Sequence, residues 1–226
     1  MSTETKVAVS TTMMATTHAF MTVAIAALAV PALSEYAAPP LVLAAAFVGG
    51  LAPDFDMLAS HRKTLHFPVY FPVLAAGVLS AGFAAGSTPL VLAGVAVAAA
   101  AVHSLSDVFA GSPEAEPWNP TTDIAVYNHA LGRWHRPRRY VRYSGAPEDF
   151  LLAAACVAVA VLSPATGVWA DSALVALLTV TGLYTAARKH LTTIAATARS
   201  LLPVWVPTVS VTESEHGGST LTIRFR

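Results

Sequence analysis

The stretch from Thr88 to Phe109, TPLVLAGVAVAAAAVHSLSDVF, carries no charge over its first fifteen residues and then places His103 and Asp107 four positions apart. At about 1.5 Å per residue an uninterrupted helix over this stretch is roughly 30 Å long, the thickness of a bilayer's hydrocarbon core. Residues four apart share a helix face. The segment therefore predicts a membrane-spanning helix that presents an imidazole and a carboxylate together at one end.

Outward from it, apolar runs recur at 13–34, 37–53, 67–86, 149–170 and 172–187. Ser34, Glu35, Tyr36 and the Pro39-Pro40 pair divide the first two. The expected fold class is an all-α polytopic membrane protein with about six transmembrane helices, a cytoplasmic loop and a small C-terminal β-hairpin. Composition agrees: 55% of the 226 residues are hydrophobic and 12% charged, about half the charge of a soluble domain. Lys6 ahead of the apolar Phe20–Val30 run has the form of a signal peptide, but His18 within that region favours a retained first span.

Cytoplasmic loops keep Lys and Arg. With six spans, the N-terminal tail, the segment 54–66, the loop 110–148 and the C-terminal tail fall on one side. With the C-terminal tail counted from the end of the last apolar run at 187, they hold one, two, five and five basic residues, all thirteen in the chain. The opposite turns keep Glu35, Ser87-Thr88 and Asp171. The expected setting is a multi-pass protein of the cell membrane with both termini cytoplasmic.

Three regions follow: a polar tail 1–12, a helical domain 13–190 that includes the loop 110–148, and a cytoplasmic tail 191–226. In the loop, Pro113, Pro117, Pro120 and Pro137 exclude a continuous helix. In the tail, alternating runs at Val206–Glu213 and Ser219–Phe225 around His216-Gly217-Gly218 predict the hairpin. A net charge of zero gives no field to attract nucleic acid. The single cysteine, Cys156, leaves any metal to nitrogen and oxygen ligands.

Four short segments gather ionisable residues at the cytoplasmic span ends: His18; Asp54 and Asp56 in PDFD; His61 and His66 in HRKTLH; and His103 with Asp107. Charges near a bilayer core cost on the order of 2.5–3.5 kcal/mol each, and neighbouring carboxylates repel one another. One or two divalent cations would relieve both penalties. Ligands without sulfur suit Zn, Mn, Fe or Co, with Zn the first expectation.

His18, the P-D-x-D of Pro53–Asp56, the H-R-x-x-x-H of His61–His66 and the H-x-x-x-D of His103–Asp107 resemble, in order and on span ends, the LexA-regulated, membrane-bound, metal-dependent hydrolase family. The likeness covers residues 13–155, and RPRRYVRYSGAPED looks like its archaeal branch. The resemblance implies a hydrolase distantly similar to zinc-dependent phospholipase C and P1-type nucleases. It implies His18, Asp54, Asp56, His66, His103 and Asp107 as ligands.

Asp54 or Asp56 could instead orient an attacking water as general base. Arg62, with His61, either binds an anionic substrate bidentately or is, with Lys63, a positive-inside anchor. Arg136, Arg138, Arg139 and Arg142 read as a lipid headgroup patch, and Trp118, Trp134, Tyr140 and Tyr143 as an interfacial aromatic belt. The expected activity is hydrolysis of phosphoester-type substrates, lipids included, with membrane lipids and a small-molecule or lipid substrate as partners. The rivals are a proton-coupled carrier, which needs ionisable groups near the midplane, and a structural protein with an inert metal site.

Overall fold

The computed structural model describes residues 12–114, 117–201, 208–213 and 219–224. Six helices dominate it: α1 (Thr12–Leu33), α2 (Pro39–Leu51), α3 (Tyr70–Ala85), α4 (Thr88–Ser106), α5 (Pro147–Val161) and α6 (Val168–Leu201). Short 3-10 turns follow α2 at Ala52–Leu58 and α4 at Asp107–Phe109. Strands β1 (Tyr127–Asn128) and β2 (Arg133–Trp134) pair within the loop, and β3 (Thr208–Glu213) pairs antiparallel with β4 (Ser219–Arg224). The expected tail hairpin is present, while its His216-Gly217-Gly218 turn lies outside the described residues. The β1–β2 ribbon was not expected.

Proline marks three helix starts. Pro39 and Pro40 open α2, Pro89 stands in the first turn of α4 and Pro147 opens α5, positions where a missing N–H costs nothing. Gly86, with φ at 59°, ends α3 in the left-handed conformation that glycine adopts without strain.

Two expected boundaries differ. The run 149–170 is not one helix: α5 stops at Val161, and Ser163-Pro164 turns the chain before α6 starts at Val168. Beyond 187, where the apolar run ends, α6 continues to Leu201, because helix propensity outlasts apolarity in AARKHLTTIAATARSL. The chain accordingly forms two compact units: one covers Ser10–Ala186, and the other holds the end of α6 and the β3–β4 hairpin. The division expected at 190–191 thus falls inside a continuous helix.

Among the described residues, four segments are long and apolar enough to cross a membrane: Ala15–Leu33, Pro39–Met57, Thr88–Phe109 and Val168–His190. Helices α3 and α5 are shorter. Leu28, Val48, Val73, Trp169 and Leu183 stand exposed on the helices, and Leu162 just past the end of α5, where lipid would solvate them.

Within the larger unit α1 packs against α2, α4 and α5, while α4 also packs against α2 and α3. Phe20, Val23, Ala27, Val42, Val91, Val95 and Val157 belong to the resulting core. Two adjacent glycines near the end of α2 set the crossings. A side chain at Gly49 would run into the Ala96 backbone of α4, and one at Gly50 into Thr22 Oγ1 and the backbone of Ala19 and His18 on α1. Small residues let helices approach to backbone contact. They bring His18 and His103 to the same end of α2.

Candidate metal centre

His18, Asp54, Asp56, His66, His103 and Asp107 are all buried and form one cluster. The four sequence motifs thus meet, although α1 and α4 are far apart in the chain. His18 and His103 stack with ring centroids 3.8 Å apart.

Each imidazole is oriented by a partner that can only accept a proton or has already used its own. His103 Nδ1 donates to the Gly50 carbonyl at 2.6 Å, so Nε2 carries the lone pair. His66 Nδ1 donates to Asp56 Oδ2 at 2.9 Å, which likewise turns Nε2 inward. Ser106 Oγ donates to the His103 carbonyl at 2.8 Å and has no second proton. It must accept from His18 Nδ1 at 3.0 Å. Nε2 of His18 is again the lone-pair atom.

These lone pairs converge with two carboxylates. His66 Nε2 lies 3.2 Å from His103 Nε2 and 3.1 Å from Asp107 Oδ2. Asp54 Oδ1 lies 3.4 Å from His103 Nε2 and 3.9 Å from His66 Nε2, and His18 Nε2 lies 3.3 Å from Asp107 Oδ1. Ligand atoms about 2.0–2.1 Å from a tetrahedral ion stand roughly 3.3 Å from one another. His18 Nε2, Asp54 Oδ2 and Asp107 Oδ2 have no hydrogen-bond partner despite burial. Acceptors facing acceptors inside a protein need a positive charge between them. Two overlapping groups, His18–His103–Asp107 and Asp54–His66–His103, have the spacing to hold a metal ion.

A proton is the alternative occupant. Burial alone would lower the pKa of His66, but the Asp107 and Asp56 carboxylates outweigh it and push the imidazole up to about 9. A cation would have to displace that proton.

Asp56 stands apart from the other expected ligands. One oxygen accepts from His61 Nδ1 at 2.9 Å and the Arg62 amide at 3.3 Å; the other accepts from His66 Nδ1 and the Leu65 amide at 3.1 Å. With both oxygens engaged, its geometry is that of a carboxylate that orients a ligand rather than one that binds the ion.

Arg62 was expected either to bind an anionic substrate or to serve as a positive-inside anchor, yet it is only 3% exposed. Its Nη1 donates to the Gly111 carbonyl at 2.6 Å, and Nη2 lies 3.2 Å from Asp107 Oδ1. Its backbone adopts φ of 60°, uncommon for a side-chain-bearing residue. Buried and so engaged, it steadies Asp107. The side chain of His61, 18% exposed, is the open one among the clustered groups.

Among its described residues the loop 110–148 contains no helix before α5, and it is stitched to the site. Tyr127 N donates to the Arg62 carbonyl, His129 Nε2 to Lys63 O, and Arg138 N to Val108 O. His129 thereby anchors the loop. Of the expected basic patch, Arg136 and Arg139 pair with Asp123, and Arg142 pairs with Glu148 at 2.7 Å. Asp149 was missed as a supporting residue: it accepts from Thr17 Oγ1 at 2.7 Å and fixes the residue beside His18. No sequence signal marked it, because it reads as the polar start of an apolar run.

Comparison with known protein families, curated proteins and solved structures finds no match to this chain.

Proposed function

We propose that this chain is a membrane-embedded, metal-dependent hydrolase of phosphoesters, lipid-borne ones included, with its centre at the cytoplasmic face of the cell membrane. The carrying observation is the convergence of three imidazole lone-pair atoms and two carboxylates in a buried cluster whose tautomers are set by Gly50, Asp56 and Ser106. The resemblance of the four motifs to the LexA-regulated hydrolase family supports the reading. Clustering of every basic residue on one side of the expected topology supports the orientation.

His18, Asp54, His66, His103 and Asp107 are the proposed ligands, with zinc the first candidate ion. A bound divalent cation would polarise the phosphoester and bring the pKa of a water near neutrality. Asp56 holds His66 and His61 in fixed tautomers through opposite oxygens. Asp54, whose Oδ2 is unpartnered, is the carboxylate able to orient an attacking water. His61, partly exposed, faces the approach of substrate. Arg62 restrains Asp107 so that its carboxylate does not swing between His18 and His66.

One observation favours a second reading. Every proposed ligand is buried, and closed sites are typical of structural ions, whereas catalytic ones keep an open position. A carrier is less favoured, since the cluster gathers at helix ends.

Elemental analysis of detergent-purified protein, wild type beside His103→Ala and Asp54→Ala, is the test. Near-stoichiometric metal lost in both variants, with turnover in a phosphoester screen that chelation abolishes and zinc restores, is the expected result. Metal without turnover of any phosphoester would leave the structural reading. A wild type that takes up no metal even after reconstitution would remove both.

A further inference from the structure

His18 and Ser106 also form part of the wall of a cavity of about 150 Å³, completed chiefly by Met21, Phe109, Val141 and Leu152. Of the clustered ligands, His18 is the one that lines it; Met21 lies one turn further along α1, so the cavity runs beside His18 along a helix apolar enough to cross the membrane. Phe109 and Leu152 are exposed, which leaves it open to the side.

Its few polar wall groups have already donated their protons. Thr17, which also lines it, donates to Asp149, Ser106 donates to the His103 carbonyl, and His18 Nδ1 donates to Ser106. A polar occupant would find no side-chain donor, whereas a hydrocarbon needs none. Apolar cavities of about this size accept a benzene-sized guest, which corresponds to about six carbons.

We propose that this cavity is the chain subsite of the metal centre, and that the substrate is a phosphoester carrying a hydrocarbon chain whose first carbons, next to the headgroup, lie between Met21 and Leu152. The proposal rests on the metal-centre reading, since the headgroup must sit at the cation for the chain to enter here. Lipid tails are as apolar as the cavity, so the chain gains little by leaving the bilayer. The cavity acts by shape: it aligns the ester with the ligands and selects a thin, unbranched chain.

The probe is a non-hydrolysable hexylphosphonate with a photoreactive diazirine on its fifth carbon, added to the zinc-loaded full chain in mild detergent. Cross-links are mapped by mass spectrometry, and metal content is measured in the same samples. The expected result is labelling at Met21, Phe109, Val141 or Leu152, reduced at least tenfold by Met21→Trp or Leu152→Trp while metal stoichiometry is kept. Labelling scattered over outward-facing residues such as Leu28 and Leu162 in metal-loaded wild type would overturn the subsite and leave the metal centre standing. So would equal cavity labelling by the same chain bearing a hydroxyl in place of the phosphonate. A wild type that holds no metal would overturn both.

Discussion

Asp54 and Asp56 are two positions apart in PDFD, yet they meet different partners. Asp54 turns Oδ1 to His103 and His66 and leaves Oδ2 unpartnered, whereas Asp56 spends both oxygens on His61, His66 and two amides. Substitution should separate them. Asp54→Asn is expected to lose the ion outright, while Asp56→Asn should keep it with affinity reduced about 10- to 100-fold, the usual cost of losing a partner that orients a ligand; competition with a chelator measures both. Equal and complete loss would make Asp56 a ligand after all. The sequence could nominate both aspartates but could not divide their work, because which oxygen faces which nitrogen depends on rotamers set by the surrounding fold. Glu114 offers a separate test in the loop. Partial burial acts to raise its pKa, but donors from Thr122 and Thr121 outweigh it and hold the carboxyl below its usual 4.5. For such a depressed acid, the stabilisation is fully present above about pH 4.5 and disappears as pH falls through the lowered value. Carboxyl NMR of Glu114 should therefore titrate below 4.5, and Glu114→Gln should remove that transition.

At the scale of elements, the Gly49–Gly50 pair matters most, because it fixes how α1 and α4 lie on α2. A methyl at Gly49 meets main-chain atoms of Ala96, which cannot rotate away. Gly49→Ala is expected to destabilise the protein by about 1–3 kcal/mol, the usual range for overpacking. It should also weaken metal affinity, since α4 carries His103 and Asp107; thermal unfolding with and without zinc reads both effects. Unchanged melting and metal content would mean that the crossing relaxes freely. The starts of α2, α4 and α5 fall within two residues of the expected 37, 88 and 149, because apolarity sets in there and a proline stands in each first turn. The breaks near α5 and α6 were less legible. Apolarity runs through Ser163-Pro164, while helicity outlasts apolarity beyond 187, and hydropathy reports solvent preference rather than backbone conformation. The β1–β2 ribbon pairs only Tyr127 with Trp134 and Asn128 with Arg133, too short a run to leave an alternating pattern.

For the molecule as a whole, the exposed apolar side chains on the helices argue for a bilayer as solvent, in which the expected topology would put every basic residue on one side. In a Cys156→Ala background, a cysteine introduced at Glu35 should react with an impermeant maleimide from outside the cell, and one at Leu131, exposed in the loop, only after lysis. The reverse pattern would invert the topology, and reaction of both from one side would change the span count. The sequence by itself determined the apolar helical character, the segregation of basic residues and the set of imidazoles and carboxylates at helix ends, because each of these is local or additive along the chain. Only the tertiary structure decided that Arg62 turns inward to Asp107, that Asp56 serves His61 and His66, and that Nε2 of His66 and Nε2 of His103 face each other across 3.2 Å. The reason is that a lone pair's direction is set by the acceptor on the opposite ring nitrogen. Gly50, Asp56 and Ser106 take up that position only once the helices have packed.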